Sequence, residues 1–441
     1  MKVRESWGSR LGFILAVAGS AVGLANIWRF PYVVGSNGGA AFIAVYLLFL
    51  AIIGLPVFLS EIVIGRATHT SPSGAFAKLG GSSSWSWAGK MTIATGFIVS
   101  AFYSAIAGWI VGYLFEAVMG HVTHFETTGA AAQYYVHLMS RPLWGLSFHG
   151  LFMIACTFVL FFGIKRGIER GTKIMMPLLF FTLVLLVGAG LMMPEAERGL
   201  RFLLEPDWNA LTPTALITAL GQAFFTLSLG QGTMVTYGSY LRKDVNILRT
   251  SIPIIAMDLF VSLLSAVAVF TIVFSAGMAP NAGPSLLFQT LPWVFSQLPG
   301  GYLLAISFFL LVTLAAITSE ISALQPTITY LRDEWGWKRS TAVLTTCGAS
   351  FLLGLPCAMS LTLYGKCILG VMEWLASSIF IPLGGFAAVI VCGWVWGADR
   401  TIAELESNEK LSPWISVYLR VSLRYTAPIL IVIVFLKSIF L

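Results

Sequence analysis

Charge is scarce in this sequence. Only 10% of its 441 residues are Asp, Glu, Lys or Arg, against 57% hydrophobic, and the mean hydropathy is +0.86. No soluble globular class has that balance. Histidine and cysteine are rarer still, at five each, and they show no metal-ligand spacing, which leaves nothing to hold a transition metal. Cys156, Cys347, Cys357, Cys367 and Cys392 read as small core residues, with a Cys357 to Cys367 bridge as the one alternative. HExxH, GxSxG and a Ser/His/Asp set are all missing, so an intramembrane enzyme is disfavoured. Neither terminus is long enough for a sizeable cytoplasmic domain, which argues against a sensor that signals through partners. The formal charge of +7 does not point to nucleic acid, because the basic residues are spread over short loops.

Long apolar runs dominate instead. At about 20 apolar residues per crossing they make roughly eleven membrane helices, near 11–33, 40–65, 88–119, 143–164, 174–193, 214–240, 251–275, 301–330, 340–358, 367–396 and 413–440. The first is followed by no A-x-A-like cleavage site and is expected to remain as a membrane segment. An N-terminus in the cytoplasm places most of the 26 Lys and Arg residues inside, which satisfies the positive-inside rule. Two connections are long. Residues 276–300 keep Leu286, Leu287, Phe288, Leu291, Trp293 and Phe295 between prolines and read as short helices over the outer face. Residues 66–90 are Gly/Ser-rich and read as a mobile connection.

Two of the crossings contradict themselves. Ala16 to Tyr32, AVAGSAVGLANIWRFPY, carries Gly19, Gly23 and Pro31 together with an amide at Asn26 and a charge at Arg29. A charge near the bilayer centre costs roughly 2.5–3.5 kcal/mol even on insertion scales, and backbone released from a helix needs partners, so this segment must line an enclosed cavity. A packing kink, or a small-xxx-small contact of Gly19 and Gly23, is the blander reading. The second is GQAFFTLSLGQGTMVTYGSY at 221–240, with Gly230, Gln231 and Gly232 at mid-span and Thr226 and Ser228 beside them. Each is the first helix of a half if spans 1–5 and 6–10 are two repeats. Paired interruptions at matching positions mark an inverted-repeat transporter with its site at mid-membrane.

Polar residues inside other spans supply the chemistry. Asp258 stands in IIAMDLF, and Thr318, Ser319, Glu320 and Ser322 in AAITSEISALQ. Hydroxyls, freed carbonyls and a carboxylate are hard oxygen ligands, suited to Na⁺. Hydroxyls bonding back to the preceding helical turn are the alternative for Thr318 and Ser319. An intramembrane carboxylate is functional by default. Broken helix ends present NH groups to anions and carbonyls to cations, so two of them side by side can hold a zwitterion and a cation together.

GSAVGLANIWRFP at Gly19–Pro31, FFTLSLG at Phe224–Gly230, YGSYLRKD at Tyr237–Asp244 and Thr318–Pro326 together resemble the neurotransmitter:sodium symporter family, whose fold is that of the bacterial leucine transporter (LeuT). That fold is the type case of paired interrupted helices, so the agreement with it is not independent support. The resemblance covers nearly the whole chain. It implies an all-α membrane protein of 5+5 inverted-repeat type in a single transporter domain, with one repeat at about 11–193, the second at about 214–396, an additional helix at about 413–440, and helices 1 and 6 unwound.

The resemblance also implies Na⁺-coupled import of an amino acid by alternating access across the cell membrane, the bacterial inner membrane, with no organic cofactor. A first Na⁺ would be held by the Ala21 carbonyl, Asn26, Thr226, Asp258 and the substrate carboxylate, and a second by Gly19, Val22, Ala315, Thr318 and Ser319. Substrate would lie against Ala21, Leu24, Ala25, Val99, Tyr103, Phe225, Thr226, Ser228, Gln231, Ser319 and Ala323. Arg29 and Glu373 would gate the outside, and Arg4 and Asp333, with Ser239, Tyr240 and Trp7 nearby, the cytoplasmic side. Gly167 and Pro177 match a pattern whose unwinding admits water to the second ion.

Departures from the family pattern sharpen the expectation. Ala25 replaces a Gly in the unwound region. Gly23 stands where amine carriers have Asp, so the substrate must bring its own carboxylate. Gln231 and Ala323 replace bulky apolar residues, which favours a side chain larger or more polar than leucine's. Asp258 stands where many members have Asn, and its charge beside the first ion predicts independence from chloride, while the neutral Ser262 points the other way. Glu320 is expected to make a structural pairing. Many relatives have a twelfth span that this chain lacks, and the ten-helix core does not need it. The rival readings are the same fold carrying another small zwitterion or osmolyte, or proton coupling through Asp258 or Glu320.

Overall fold

The computed structural model describes residues 6–278, 287–363 and 366–440, and shows an almost wholly helical protein. Among these residues nine helices are long and apolar enough to cross a membrane, and one further pair, Arg10–Ala21 and Ala25–Ser36, forms a span bent by 50°. We number the membrane helices α1 (Arg10–Ala21), α2 (Ala25–Ser36), α3 (Ala40–Thr68), α4 (Ser83–Val118), α5 (Pro142–Phe161), α6 (Ile164–Leu191), α7 (Pro213–Thr226), α8 (Thr233–Gly238), α9 (Ile247–Ser275), α10 (Gly301–Asp333), α11 (Arg339–Ala358), α12 (Ile368–Val395) and α13 (Pro413–Lys437). The sixth expected span, at 214–240, is the pair α7 and α8, of 14 and 6 residues. Its halves are short because the chain between them is not helical.

The helices start where the sequence places acceptors for their first NH groups. Ser9 caps α1 through the Gly12 NH, Thr212 caps α7 through the Ala215 NH with Pro213 just inside, and Asn246 caps α9 through the Arg249 NH. Pro31 lies inside α2, just after its wide turn at Ala25–Arg29 and in the first turn of the regular part Phe30–Ser36, so the span bends before Ala25 and not at the proline.

The same signal corrects the reading of 66–90 as a mobile connection. Ser71 caps a helix over Pro72–Gly80, accepting from the Gly74 NH. Arg66 just before it is fully buried, and it donates to the carboxylate of Glu404 at 2.8 Å, to the Val245 carbonyl at 2.7 Å and to Ser407 at 2.8 Å. A buried guanidinium with this many acceptors fastens the end of α3, the start of α9 and the helix at Ala398–Leu405 to one another.

The Pro-punctuated stretch forms a helix at Thr290–Gln297, whose Leu291, Val294 and Phe295 are buried. A short helix is thus present in 276–300 as expected, while residues 279–286 lie outside the described residues. All five cysteines are free, so the Cys357 to Cys367 bridge is not formed, and the Cys357 Sγ instead lies 3.5 Å from the Met372 Sδ. A short hairpin pairs Thr362 with Cys367 between α11 and α12.

Candidate functional site

The two breaks face each other across the middle of the bundle. After Ala21 the chain leaves helical geometry at Val22, whose φ and ψ are −74° and 97°. After Thr226 it takes positive φ at Ser228 (52°), Gly230 (73°) and Gly232 (71°). Only glycine adopts that region without strain, so the Ser228 conformation is held by its surroundings, and its hydroxyl donates to the Ser20 carbonyl at 3.2 Å across to the first break. Gly230 is clamped on two sides. Its NH donates to the Glu61 carboxylate of α3 at 2.7 Å, and a Cβ there would stand 2.1 Å from the Ile381 carbonyl of α12.

Between the breaks lies a slot of about 30 Å³, lined by Ala21, Leu24, Ala25, Val99, Tyr103, Phe225, Ser228, Gln231, Ser319 and Ala323, together with Ser20, Gly23 and Thr233. Of the expected substrate contacts only Thr226 does not line it. The Leu24 NH donates to the Tyr103 hydroxyl at 3.3 Å, which puts a released backbone donor and a phenol side by side. Ser20 Oγ and Thr233 Oγ1 are buried on the wall with no hydrogen-bond partner among the described residues. Such groups are costly unless a guest or water meets them. The free volume is on the scale of a single water, so an amino acid enters only if the walls move apart.

Beside the slot, oxygen atoms converge on Asp258, which is fully buried on α9. The Asn26 amide donates to its Oδ1 at 2.6 Å and to Ser262 at 2.8 Å, and the Thr226 hydroxyl donates to its two oxygens at 2.9 and 3.1 Å. No Lys, Arg or His pairs with Asp258 among the described residues. A buried carboxylate surrounded by hydroxyls and an amide, with no protein cation, is costly as an anion unless a proton or a cation joins it. The Asn26 Oδ1 accepts from the Gly23 NH at 2.9 Å, which ties this cluster to the first break.

Some of the oxygens expected at the second ion position lie close together. The Ser319 hydroxyl sits 3.5, 3.2 and 3.5 Å from the carbonyls of Gly19, Ser20 and Val22. Thr318 donates back to Ala315 at 2.9 Å, as the bland reading has it, and Ser319 does not. A Cβ on Gly19 would meet the Thr318 Cβ at 3.3 Å, so the close approach of α1 to α10 depends on that glycine. Glu320 is buried on the far side, where it accepts from Ser100, which in turn is 2.7 Å from Ser350. The expected structural pairing of Glu320 is therefore with hydroxyls.

The gates are unequal. Arg29 stacks over the Phe225 ring at 4.5 Å and donates to Gln222 at 3.2 Å. It makes no ion pair with Glu373 among the described residues, so the outer pairing expected from sequence is not present in this conformation. The physical reason is that the aromatic face and the Gln222 amide oxygen hold the guanidinium over the slot. Arg4 lies outside the described residues, and Asp333 ends α10 at an exposed position.

The other residues expected at the cytoplasmic gate pack together. Trp7 is buried and donates through Nε1 to the Tyr237 carbonyl at 3.2 Å, and its ring packs edge-on against Phe13, Tyr237 and Tyr240. The Tyr240 hydroxyl is 2.7 Å from Thr329. Gly167 belongs to a wide turn over Ile164–Glu169, while Pro177 sits inside an uninterrupted helix, Arg170–Leu191, so the unwinding that this pair implies is not present here.

Three partners escaped sequence reading. Glu61 holds Gly230, Gln222 bridges Arg29 and the Ala25 carbonyl, and Tyr46 places a buried hydroxyl beside Asp258. Glu61 alone had a usable signal, as a carboxylate inside the apolar run PVFLSEIVI.

Two broken helices that enclose a slot at the middle of the bundle, with buried oxygen atoms gathered beside it, are the arrangement of an ion-coupled secondary transporter and not of an enzyme. The sodium:neurotransmitter symporter family model matches residues 4–133 and 125–441, and this chain belongs to that family. It is 36% identical over 439 residues to an uncharacterized sodium-dependent transporter of Bacillus subtilis, covering 98% of this chain and 97% of the relative. A second such transporter, from Haemophilus influenzae, is 34% identical over 455 residues, with 100% and 99% coverage. The structure superposes on the crystal structure of MhsT in complex with L-phenylalanine with a TM-score of 0.90, at 41% identity over 99% of this chain and 100% of the other. The protein is therefore a multi-pass sodium-dependent transporter with the LeuT fold.

Proposed function

We propose that this transporter imports an amino acid together with two Na⁺ ions, without chloride, across a bacterial inner membrane with its N-terminus in the cytoplasm. The whole chain acts as one transporter domain, with repeats at about 11–193 and 214–396 and a further helix at about 413–440. The observation that carries this reading is the uncompensated carboxylate of Asp258, held by Asn26 and Thr226 next to the break that exposes the Leu24 NH. A cation there is attracted both by Asp258 and by the carboxylate of a substrate, whose other contacts are the Tyr103 hydroxyl and the released NH groups. Ion and solute then assist each other's binding.

With Gly23 in the first break, no Asp or Glu lines the slot to meet a bare amine, and a side chain there would crowd Ser319, whose Oγ lies 2.3 Å from where a Cβ would stand. The substrate therefore supplies the anion, which fits an amino acid. Ser20, Gln231 and Thr233 on the wall favour a side chain that is large or carries a polar atom. Opening starts with Arg29 and Phe225 lifting off the slot. It ends when the Trp7 and Tyr240 contacts part at the cytoplasmic side.

The energetics are sufficient. At about 100 mV each Na⁺ gains about 2.3 kcal/mol, and a tenfold gradient adds about 1.4. Two ions supply roughly 7.4 kcal/mol, enough at the limit for about 10⁵-fold accumulation of a neutral zwitterion.

Counterflow in proteoliposomes against a panel of amino acids, with choline replacing Na⁺ and gluconate replacing chloride, tests the reading. Uptake of one or a few amino acids should vanish in choline and persist in gluconate. Transport of an osmolyte in place of any amino acid, or strict dependence on chloride, would refute the corresponding part.

A further inference from the structure

Away from the transport pathway, α5 and α11 leave a lipid-facing groove of about 710 Å³ between them. Its walls are Ile154, Phe158, Phe161, Phe162, Leu344 and Phe351, of which Ile154 and Phe158 are 67% and 66% exposed. Its floor is made of small residues, Gly150, Thr157 and Gly348, and a Cβ on Gly348 would meet nothing within 4 Å. The groove occupies the cytoplasmic half of both helices, since α5 ends at Phe161 and α11 begins at Arg339.

Its cytoplasmic end is basic. The Arg339 guanidinium donates to the Leu160 carbonyl at 3.0 and 2.8 Å, which places a positive charge where the last turn of α5 closes the groove. Lys338 caps α11 one residue earlier, and Arg166 leaves the turn in which Gly167 packs against the Val159 carbonyl. Both side chains are exposed, and neither pairs with a carboxylate among the described residues. The nearest acids along the chain are Glu169, three residues after Arg166, and Asp333 and Glu334 at the end of α10. Glu169 is taken up by Lys173 and the Gly8 NH, each at 2.7 Å, and by Ser9, and Glu334 is turned to the Ser71 hydroxyl at 3.0 Å.

We propose that this groove is a binding site for one anionic phospholipid, with an acyl chain between α5 and α11 and its phosphate at the rim of Arg166, Lys338 and Arg339. The charge decides for a lipid over a second copy of this chain. Two copies meeting across the groove related by a two-fold axis would bring their own basic rims together, and like charges across an interface repel. An anionic headgroup at the cytoplasmic leaflet is attracted to the same Lys and Arg residues. Four phenylalanines and a glycine floor give an acyl chain more contact than a flat helix face does.

The purified full-length transporter, incubated with equal amounts of phosphatidylglycerol and phosphatidylcholine and examined by native mass spectrometry, tests this. The wild type should retain one phosphatidylglycerol about tenfold over phosphatidylcholine. Gly348→Leu, which fills the floor without a backbone clash, should lose the bound lipid while keeping its Na⁺-dependent thermal stabilisation. Ile154→Trp fills the same space from the wall and should do likewise, which guards against a folding defect in either variant. Lys338→Gln combined with Arg166→Gln should retain lipid but lower the preference towards parity. Equal retention by both filled variants, equal retention of the two lipids by the wild type, or a lipid-free dimer that dissociates on Gly348→Leu would each overturn the proposal.

Discussion

Asp258→Asn should weaken Na⁺-dependent substrate binding by about 10²–10³-fold in chloride-free buffer, and chloride should restore much of the loss. A unit charge about 4 Å from a cation, at an effective dielectric constant near 20, contributes roughly 4 kcal/mol of attraction, which is the upper scale of the effect. The side chain is fully buried and its carboxylate faces no protein cation among the described residues, so little else offsets that loss. Rescue by chloride follows from the hydroxyls around it. Tyr46, Thr226 and Ser262 lie together beside Asp258, and the Tyr46 hydroxyl makes no hydrogen bond among the described residues. Donors of this kind accept an anion once the fixed carboxylate is gone. The check is a Na⁺ titration of binding, in chloride and in gluconate, for both proteins. A variant that keeps wild-type affinity in gluconate would show that Asp258 is not the charge beside the ion.

Gly230→Ala should lower substrate affinity by about 10- to 100-fold, which corresponds to roughly 1.4–2.8 kcal/mol. The residue has φ of 73°, a region that costs an L side chain about 1–2 kcal/mol, and the new Cβ would stand 2.1 Å from the Ile381 carbonyl. Backbone cannot swing aside as a side chain does. The α7 break must therefore shift away from α12, which drags the Gly230 NH from Glu61 and moves Ser228 off the Ser20 carbonyl. Gly221→Ala on α7 is the matched control, because a Cβ there meets nothing within 4 Å and the φ is ordinary. It should leave affinity unchanged. Equal effects of the two substitutions would mean that the second break does not shape the pocket.

The parts of the molecule that could be read from sequence were those written locally. Gly19, Gly23 and Asn26 within one apolar run, and Gly230 and Gly232 within another, announce lost helix because few other roles at mid-span use those residues. The buried polar residues of α9 and α10 could be singled out by the rule that acids and hydroxyl clusters inside a span have a purpose. Contacts between distant segments were not legible in this way. Glu61 meets Gly230 across 169 positions, and Gln222 meets Ala25 across 197, and neither pairing leaves a periodic trace. The Arg29 and Glu373 expectation missed for a related reason. Sequence names the charges that can meet but not the conformation in which they do, and here the Phe225 ring and Gln222 occupy the guanidinium. The helix at Pro72–Gly80 was overlooked although Ser71 and Pro72 are an ordinary start signal, because the surrounding glycines and serines outweighed it.

The central claim is that the unwound backbone binds Na⁺ and solute as one linked unit. Equilibrium binding of a tritiated amino acid to the purified protein, measured across a Na⁺ titration at fixed ionic strength with choline as the replacement, tests it most directly. The account predicts no specific binding in choline, and a half-saturating amino acid concentration that falls as Na⁺ rises, with the amino acid in turn tightening Na⁺ by the same factor. Binding of equal strength in Na⁺ and in choline would contradict it.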